Sequence, residues 1–422
     1  MTASAIPVTA CRACGGKLGA TFCDLGTQPV ANSYIAPEDA AAPEPRFPLR
    51  AVVCEACRLV QLDTVVDAEA IFSDYAYFSS ASASWLDHAA RFAQAMTARL
   101  DLGARSFVVE VASNDGYLLR NFVASGIPCL GIEPAANVAA VARAAGVPTE
   151  TVFLGAATAR EIVARRGHAD LVVANNVFAH VPAIGDFTAG LAALAGPRGV
   201  VSIEQPHLLR MVDGVQFDTI YHEHYAYWSL HAMEAMLARH GLRVFDVERL
   251  PTHGGSIRVL SSAADRGASA MLAEVRAEEA ARGVATDDFY EGFEARVRAT
   301  LGGFRAWLSQ AQAEGRRIGA YGAAAKGNTF LNAAGLNAAG VTAVDILAVA
   351  DRSPAKQGRL LPGSRIPVVT PEALLGMPLD DILVLPWNIG AEVAAQLRAG
   401  GFRGRILTAV PEMRELLPVR GA

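Results

Sequence analysis

The chain has 422 residues, 52% of them hydrophobic and 19% charged, with a formal net charge of −5 at neutral pH. That length exceeds one ordinary hydrophobic core and predicts two or three domains, while the apolar fraction excludes a largely disordered chain. The acidic balance excludes general attraction to nucleic acid or an anionic membrane, no run of 18 apolar residues predicts a spanning helix, and Met1–Ala10 lacks a leader pattern.

Six cysteines in a chain this long do not make a secreted disulfide framework. Four fall in two Cys-x-x-Cys pairs, Cys11/Cys14 and Cys54/Cys57. A two-residue spacer lets both thiolates of a pair reach one ion from a tight turn, and two such turns complete a closed tetrahedral site for zinc. With no position open to substrate, that zinc is expected to be structural, stapling a segment too small for its own core. Cys23 has no paired partner. Metal-binding thiolates point to a reducing compartment, and the cytoplasm is the expected location. After the second pair, Asp74–Trp85 is dense in aromatics and hydroxyls and reads as a binding loop, with Tyr75, Tyr77 and Ser79 in it.

From Ser106 onward, apolar runs of strand length alternate with helical patterns. Phe107–Val111, Ile127–Glu133, Asp170–Ala174 and Gly199–Glu204 read as strands of a doubly wound α/β sheet, whose ligands lie at the carboxyl ends of the strands. The first loop, Ala112-Ser-Asn114-Asp-Gly116, has a single glycine and several polar groups, with Glu110 inside the preceding strand. A dinucleotide needs G-x-G-x-x-G there, so that backbone approaches a pyrophosphate. An acidic loop suits the sulfonium and ammonium of S-adenosylmethionine better; Glu133 is placed for the ribose hydroxyls, a position that would serve NAD equally well. Asn175 and Asn176 end the later strand. Gly241–Leu250 and Ser256–Leu260 predict a closing antiparallel hairpin.

Between the parallel strands and this hairpin lies the densest cluster of titratable and aromatic groups, Tyr221-His-Glu-His-Tyr-Ala-Tyr-Trp-Ser229. Either His222 or His224 has the ordinary pKa of a general base near neutral pH, Glu223 can orient a histidine, and a tyrosine hydroxyl can donate to an oxyanion. Residues 263–315 read as a charged helical connector. A second α/β unit follows, with strands at Arg316–Tyr321, Ile346–Asp351, Ile382–Leu385 and Arg405–Val410. Its first turn runs Gly322-Ala-Ala-Ala-Lys326-Gly-Asn328. A lysine in a small-residue turn at a helix start suits a phosphate group, and the order Lys-Gly is not that of a nucleoside-triphosphate loop.

Taken together, the paired cysteines, Tyr75-Ala-Tyr-Phe-Ser-Ser80, Glu110–Gly116, Tyr221–Tyr225, Thr252-His-Gly-Gly-Ser256 and Gly319–Asn328 resemble the TDP-sugar C-methyltransferases of deoxysugar biosynthesis, especially the C-3' enzymes. The resemblance spans nearly the whole chain. It implies a zinc-binding module over residues 1–80, a class I S-adenosylmethionine-dependent methyltransferase domain over 81–265, the helical connector over 266–315, and a Rossmann-like nucleotide-sugar-binding domain over 316–422. It also implies a chemistry, in which a 4-keto group acidifies the adjacent carbon, a base removes the proton, and the enolate takes the methyl group. By position His224 is the base, Tyr221 stabilises the oxyanion, and Tyr75 or Tyr77 reaches the same site; spacing alone leaves His222 open beside His224. The cofactor candidates are Glu110, Ala112, Asn114, Gly116, Glu133, Asn175 and Asn176. On the substrate side they are Ser79, Phe178, His180, His253, Lys326 and Asn328. A monomer or weak oligomer is expected. The alternative readings are an O- or N-methyltransferase on a sugar or small metabolite, and a non-catalytic protein binding zinc and a nucleotide-sugar.

Overall fold

The computed structural model describes residues 4–67, 78–336 and 346–416. Tyr75 and Tyr77 lie outside the described residues.

The 39 residues between the cysteine pairs are not a loop. They form a long antiparallel hairpin, β1 (Leu18–Pro29) and β2 (Arg46–Cys54), followed by β3 (Val60–Leu62). This sheet gains a fourth strand from far along the chain, because Ala226–Tyr227 pairs antiparallel with β3. The segment just after His224 is thereby hydrogen-bonded into the cysteine-bearing module.

Among its described residues, the aromatic segment ends in a helix rather than a loop. Ser82 caps helix α1 (Ala83–Leu100), its hydroxyl accepting from the Trp85 amide at 3.3 Å. A serine that reads as loop composition serves as a helix start, since its side chain replaces a missing backbone acceptor. The central sheet then comprises β4 (Val108–Val111), β5 (Cys129–Ile132), β6 (Thr149–Glu150), β7 (Leu171–Asn175), β8 (Val200–Pro206), β9 (Arg243–Leu250) and β10 (Ser256–Ser262). Its spatial order is β9-β10-β8-β7-β4-β5-β6, with β10 antiparallel to both neighbours. The first five strands are parallel, and the last one slots between the fifth and sixth. The parallel strands are apolar on both faces because helices cover both.

The connector is two helices, α2 (Ala270–Ala281) and α3 (Phe293–Ala313), broken before Gly292 at φ 75°. It packs into the N-terminal module rather than spanning solvent: Phe22 stacks on Phe293 with centroids 4.3 Å apart, and Tyr290 donates to the Arg58 carbonyl at 3.1 Å.

The C-terminal sheet contains β11 (Ile318–Tyr321), β12 (Val349–Ala350), β13 (Val368–Val369), β14 (Asp381–Val384), β15 (Arg405–Thr408) and β16 (Arg414–Glu415), in the order β13-β12-β11-β14-β15-β16. Helix α4 (Ala325–Ala333) opens the return from β11. Strand order reverses between β11 and β14, so the crevice of this sheet opens above Tyr321 and Val384. Residues 30–36 join this unit to the N-terminal module: Tyr34 donates to the Ala323 carbonyl at 2.5 Å, and Asn328 donates to that of Ala31 at 3.2 Å. Among the described residues, no helix is long and apolar enough to cross a membrane.

Candidate active site

The four sulfurs of Cys11, Cys14, Cys54 and Cys57 lie within 4.8 Å of one another. Cys11 approaches Cys57 at 3.6 Å and Cys14 approaches Cys54 at 3.4 Å, pairing one sulfur from each turn. Four thiolates around a zinc ion at about 2.3 Å stand about 3.8 Å apart, so the cluster needs only slight expansion to accept it. Backbone amides of Gly16 and Cys57 point at the sulfurs of Cys14 and Cys54, at 3.3 and 3.5 Å. The Cys57 thiol, bonded to Cys11, holds the latter's pKa down at about 5, which favours the ligating thiolate. Cys23 is buried in β1 away from the cluster, and burial pushes its thiol up.

At the central sheet, the loop after β4 is built from left-handed turns: Ala112, Asn114 and Gly116 have φ of 52°, 50° and 79°. At Gly116 a Cβ would come within 2.8 Å of Val147, so close packing as well as conformation requires glycine. Glu133 terminates β5, and its two oxygens accept from the amides of Asn114 at 2.9 Å and Ala135 at 2.8 Å. Each oxygen retains a second lone pair for a ligand hydroxyl. Glu110 is fully buried beneath the loop; burial, then Glu133 and Asp115, push its pKa well up, opposed by a hydrogen bond from Tyr117. Ser79 is also buried, its amide donating to the Asn114 side chain at 2.8 Å, while the Ser80 hydroxyl donates to Asp115 at 2.5 Å. At the ends of β7 and β8, polar atoms of Asn175, Asn176 and Gln205 are buried without partners, and Asn176 has φ 54°. Buried polar groups are normally paired. This concentration at strand ends marks a crevice shaped for a polar ligand, and fits S-adenosylmethionine.

The reactive segment lies next to that crevice. His224 Nδ1 donates to the Thr219 carbonyl at 2.9 Å, which fixes the neutral tautomer with its lone pair on Nε2. That nitrogen faces the Tyr221 hydroxyl at 2.7 Å. The His180 ring meets His224 edge-on, centroids 4.6 Å apart. Burial, and then His180, push the His224 pKa well below the usual histidine value, which favours the neutral imidazole. Tyr221 packs with Ala31 and Ala325, at the junction of the N-terminal module and the C-terminal unit.

Its neighbours in sequence turn elsewhere. His222 faces the β2 backbone, 3.3 Å from the Phe47 carbonyl, and burial holds its pKa near about 4. Glu223 orients neither histidine; both its oxygens accept from Asn32, at 2.8 and 2.9 Å, and burial raises its pKa to about 7. Phe178 is a correction to the substrate-side set. It is wholly buried against Trp228 and Phe187, with centroids 4.7 and 6.1 Å away, and so belongs to the core.

Lys326 starts α4 with its ammonium 5.2 Å from the centroid of the Trp387 ring. Burial lowers its pKa, and Asp218 acts against that. Asp218 is itself pushed up by burial and held back by Lys326 and by the Trp387 indole, which donates to it at 2.7 Å. His253 (φ 55°) lies within electrostatic reach of Lys326, and burial brings its pKa to about 4. Gly254 follows because a Cβ there would fall 2.3 Å from Trp387. Trp85 closes the wall, 4.9 Å from His88 and 5.5 Å from His253 between centroids. Behind it, burial raises the Glu204 pKa, but His88 and Arg258, bonded at 2.9 and 2.6 Å, bring it below the usual carboxylate value. The structure thus brings Tyr221 and His180 into contact with His224, and His253 and Lys326 within electrostatic reach of it. Sequence reasoning missed Asp218, Trp387 and the carbonyl of Thr219. An acid six residues before His224 is a legible signal; a main-chain carbonyl leaves none.

The strand order, the acid-bearing first loop and the strand inserted before the sheet edge define a class I S-adenosylmethionine-dependent methyltransferase, here joined to a four-cysteine zinc site. Three family models match the sequence: "Putative zinc binding domain" over residues 11–72, "Methyltransferase domain" over 84–247 and "C-methyltransferase C-terminal domain" over 251–411. The chain is 36% identical over 417 residues to "C-methyltransferase NovU" of Streptomyces niveus, with 97% of each sequence covered, and it belongs to this C-methyltransferase family. Solved structures with partial likeness include magnesium protoporphyrin IX methyltransferase of Synechocystis PCC 6803 (14% identity, 42% of this chain and 76% of that one, TM-score 0.31). Another is 1,6-didemethyltoxoflavin-N1-methyltransferase of Burkholderia thailandensis (18% identity, 42% and 79%, TM-score 0.31).

Proposed function

We propose that this enzyme methylates the carbon next to the ketone of a nucleotide-linked 4-keto sugar, with a TDP-linked substrate and C-3' as the favoured case. The observation that carries the reading is the His224 imidazole, buried, neutral and locked by Thr219 with Nε2 directed at the Tyr221 hydroxyl. An O- or N-methyl acceptor already has a lone pair, whereas a carbon acid needs a positioned base and an oxyanion donor.

His224 Nε2 takes the proton from the carbon next to the ketone as Tyr221 turns its hydroxyl to the developing enolate oxygen. His180 stands edge-on behind His224 and limits its ring to one orientation. Bound S-adenosylmethionine supplies the electrophilic methyl group. Glu133, Asn114, Asn175 and Asn176 would hold it at the strand ends, and Glu110 supports the loop from below. Lys326, backed by Asp218 and Trp387, would take the diphosphate, with Asn328, Ser79 and His253 completing the substrate side. His222 packs against β2 and has no part in the proton transfer. In this division residues 1–80 bind structural zinc, 81–265 the methyl donor and 316–422 the nucleotide-sugar, with 266–315 joining them. The cytoplasm keeps the thiolates reduced for the metal.

His224→Ala is expected to retain S-adenosylhomocysteine binding in calorimetry and lose about 10²–10⁴-fold in turnover of a TDP-4-keto sugar. Full turnover by that variant would remove His224 as the base.

A further inference from the structure

We propose that Arg12, between the first two zinc-binding cysteines, is a positioning residue for proton transfer, clamping the segment that carries His224 to the segment that carries His180. The proposal rests on the reading of His224 as the base.

The guanidinium of Arg12 reaches out of its own module to the main chain beside the two histidines. One terminal nitrogen donates to the Tyr225 carbonyl, immediately after His224. The other lies 3.4 Å from the carbonyls of Val181 and of Pro182, immediately after His180. The same group lies over the Tyr225 ring, 5.6 Å from its centroid. Arg12 is itself fixed at the other end. Its amide donates to Gln61 at 3.2 Å, on the strand that pairs with Ala226–Tyr227, and the cysteines on either side hold its backbone.

Tyr225 is restrained at every polar atom. Its amide donates to Ala179 at 2.8 Å, its carbonyl also accepts from Leu62 at 3.0 Å, and its hydroxyl donates to Val66 at 2.8 Å. Within this frame the Arg12 side chain reaches main-chain carbonyls of both histidine segments from a third element of the fold. A planar guanidinium presents five donors in fixed directions and can serve acceptors on two segments at once, which an ammonium cannot do with the same geometry. The edge-on contact of His180 with His224 depends on the spacing of those segments. An error of 1 Å in such a constellation is worth up to about 10²-fold in rate. The zinc turn and the base are therefore one mechanical unit.

The test compares zinc-loaded wild type, Arg12→Met, Arg12→Lys and His224→Ala. For each, zinc content, S-adenosylhomocysteine affinity, kcat and KM are measured, with amide hydrogen exchange over residues 178–182 and 221–228. Both Arg12 variants are expected to keep zinc, cofactor affinity and KM. Their kcat is expected to fall on the order of 10–100-fold, with faster exchange in both segments and lysine recovering only part of the loss. Arg12→Lys with wild-type kcat and exchange overturns the clamp, since charge alone then suffices. Loss of zinc from either variant overturns it too, because Arg12 would then serve the metal site. If His224→Ala remains active, the base assignment fails separately, and unchanged exchange in the Arg12 variants still refutes the clamp.

Discussion

The central and C-terminal sheets share the order 3-2-1-4-5, yet they present opposite chemistry at the crevice. In the central sheet, Glu110, Asp115 and Glu133 surround a loop whose tight turn needs Gly116. In the C-terminal sheet the corresponding loop leads into Lys326, with Trp387 beneath its ammonium and Asp218 as counter-charge. Topology sets where a ligand sits, and the charge of the first loop sets which one. An acidic crevice suits a sulfonium donor and a basic one an anionic group, and on the function proposed above the two crevices would take the methyl donor and the diphosphate of the acceptor.

The sharpest way to break this contrast is at the point between the sheets, where His224→Ala should cost about 10²–10⁴-fold in kcat without changing cofactor affinity. Next come the two crevices. Lys326→Met should raise KM for the nucleotide-sugar by about 10–100-fold and leave S-adenosylhomocysteine binding alone, while Glu133→Ala should do the reverse, as expected for charged hydrogen bonds. Equal effects of either variant on both ligands would dissolve the contrast.

A chelator strong enough to remove zinc should unfold the hairpin of residues 18–54 first, read as loss of amide protection there before the C-terminal sheet loosens. The smallest effect is on stability against pH. His180, His222 and His253 are held near about 4 by burial, against an unfolded value of about 6.5. The unfolded chain therefore takes up protons that the folded chain refuses. The histidine contribution should be complete above pH ~6.5 and decline as pH falls toward ~4, while Glu223, raised to about 7, acts with opposite sign, so urea titrations of Glu223→Gln across that window should show the histidine decline.

Much of this was legible in the sequence. The parallel strands announce themselves as apolar runs, and cysteine spacing marks the metal cluster. Some boundaries moved little, Asp170–Ala174 becoming Leu171–Asn175, while Ile346–Asp351 shortened to Val349–Ala350. What could not be read was long-range pairing. Nothing local says that Ala226–Tyr227 joins a sheet begun at residue 18, that Asn32 takes both oxygens of Glu223, or that His222 and His224 face different units. Phe178 shows the converse: the resemblance places it on the substrate side, but its ring packs against Trp228 and Phe187. The connector's charge concealed Phe289, Tyr290 and Phe293, which bind it to the N-terminal module.

The most direct test is proton exchange in heavy water, with a TDP-4-keto sugar and S-adenosylhomocysteine in place of the methyl donor. Wild type should incorporate deuterium at the carbon next to the ketone, with exchange by His224→Ala at the uncatalysed rate. Wild-type exchange no faster than buffer, with methyl transfer to oxygen or nitrogen when the donor is supplied, would contradict carbon methylation and its base together.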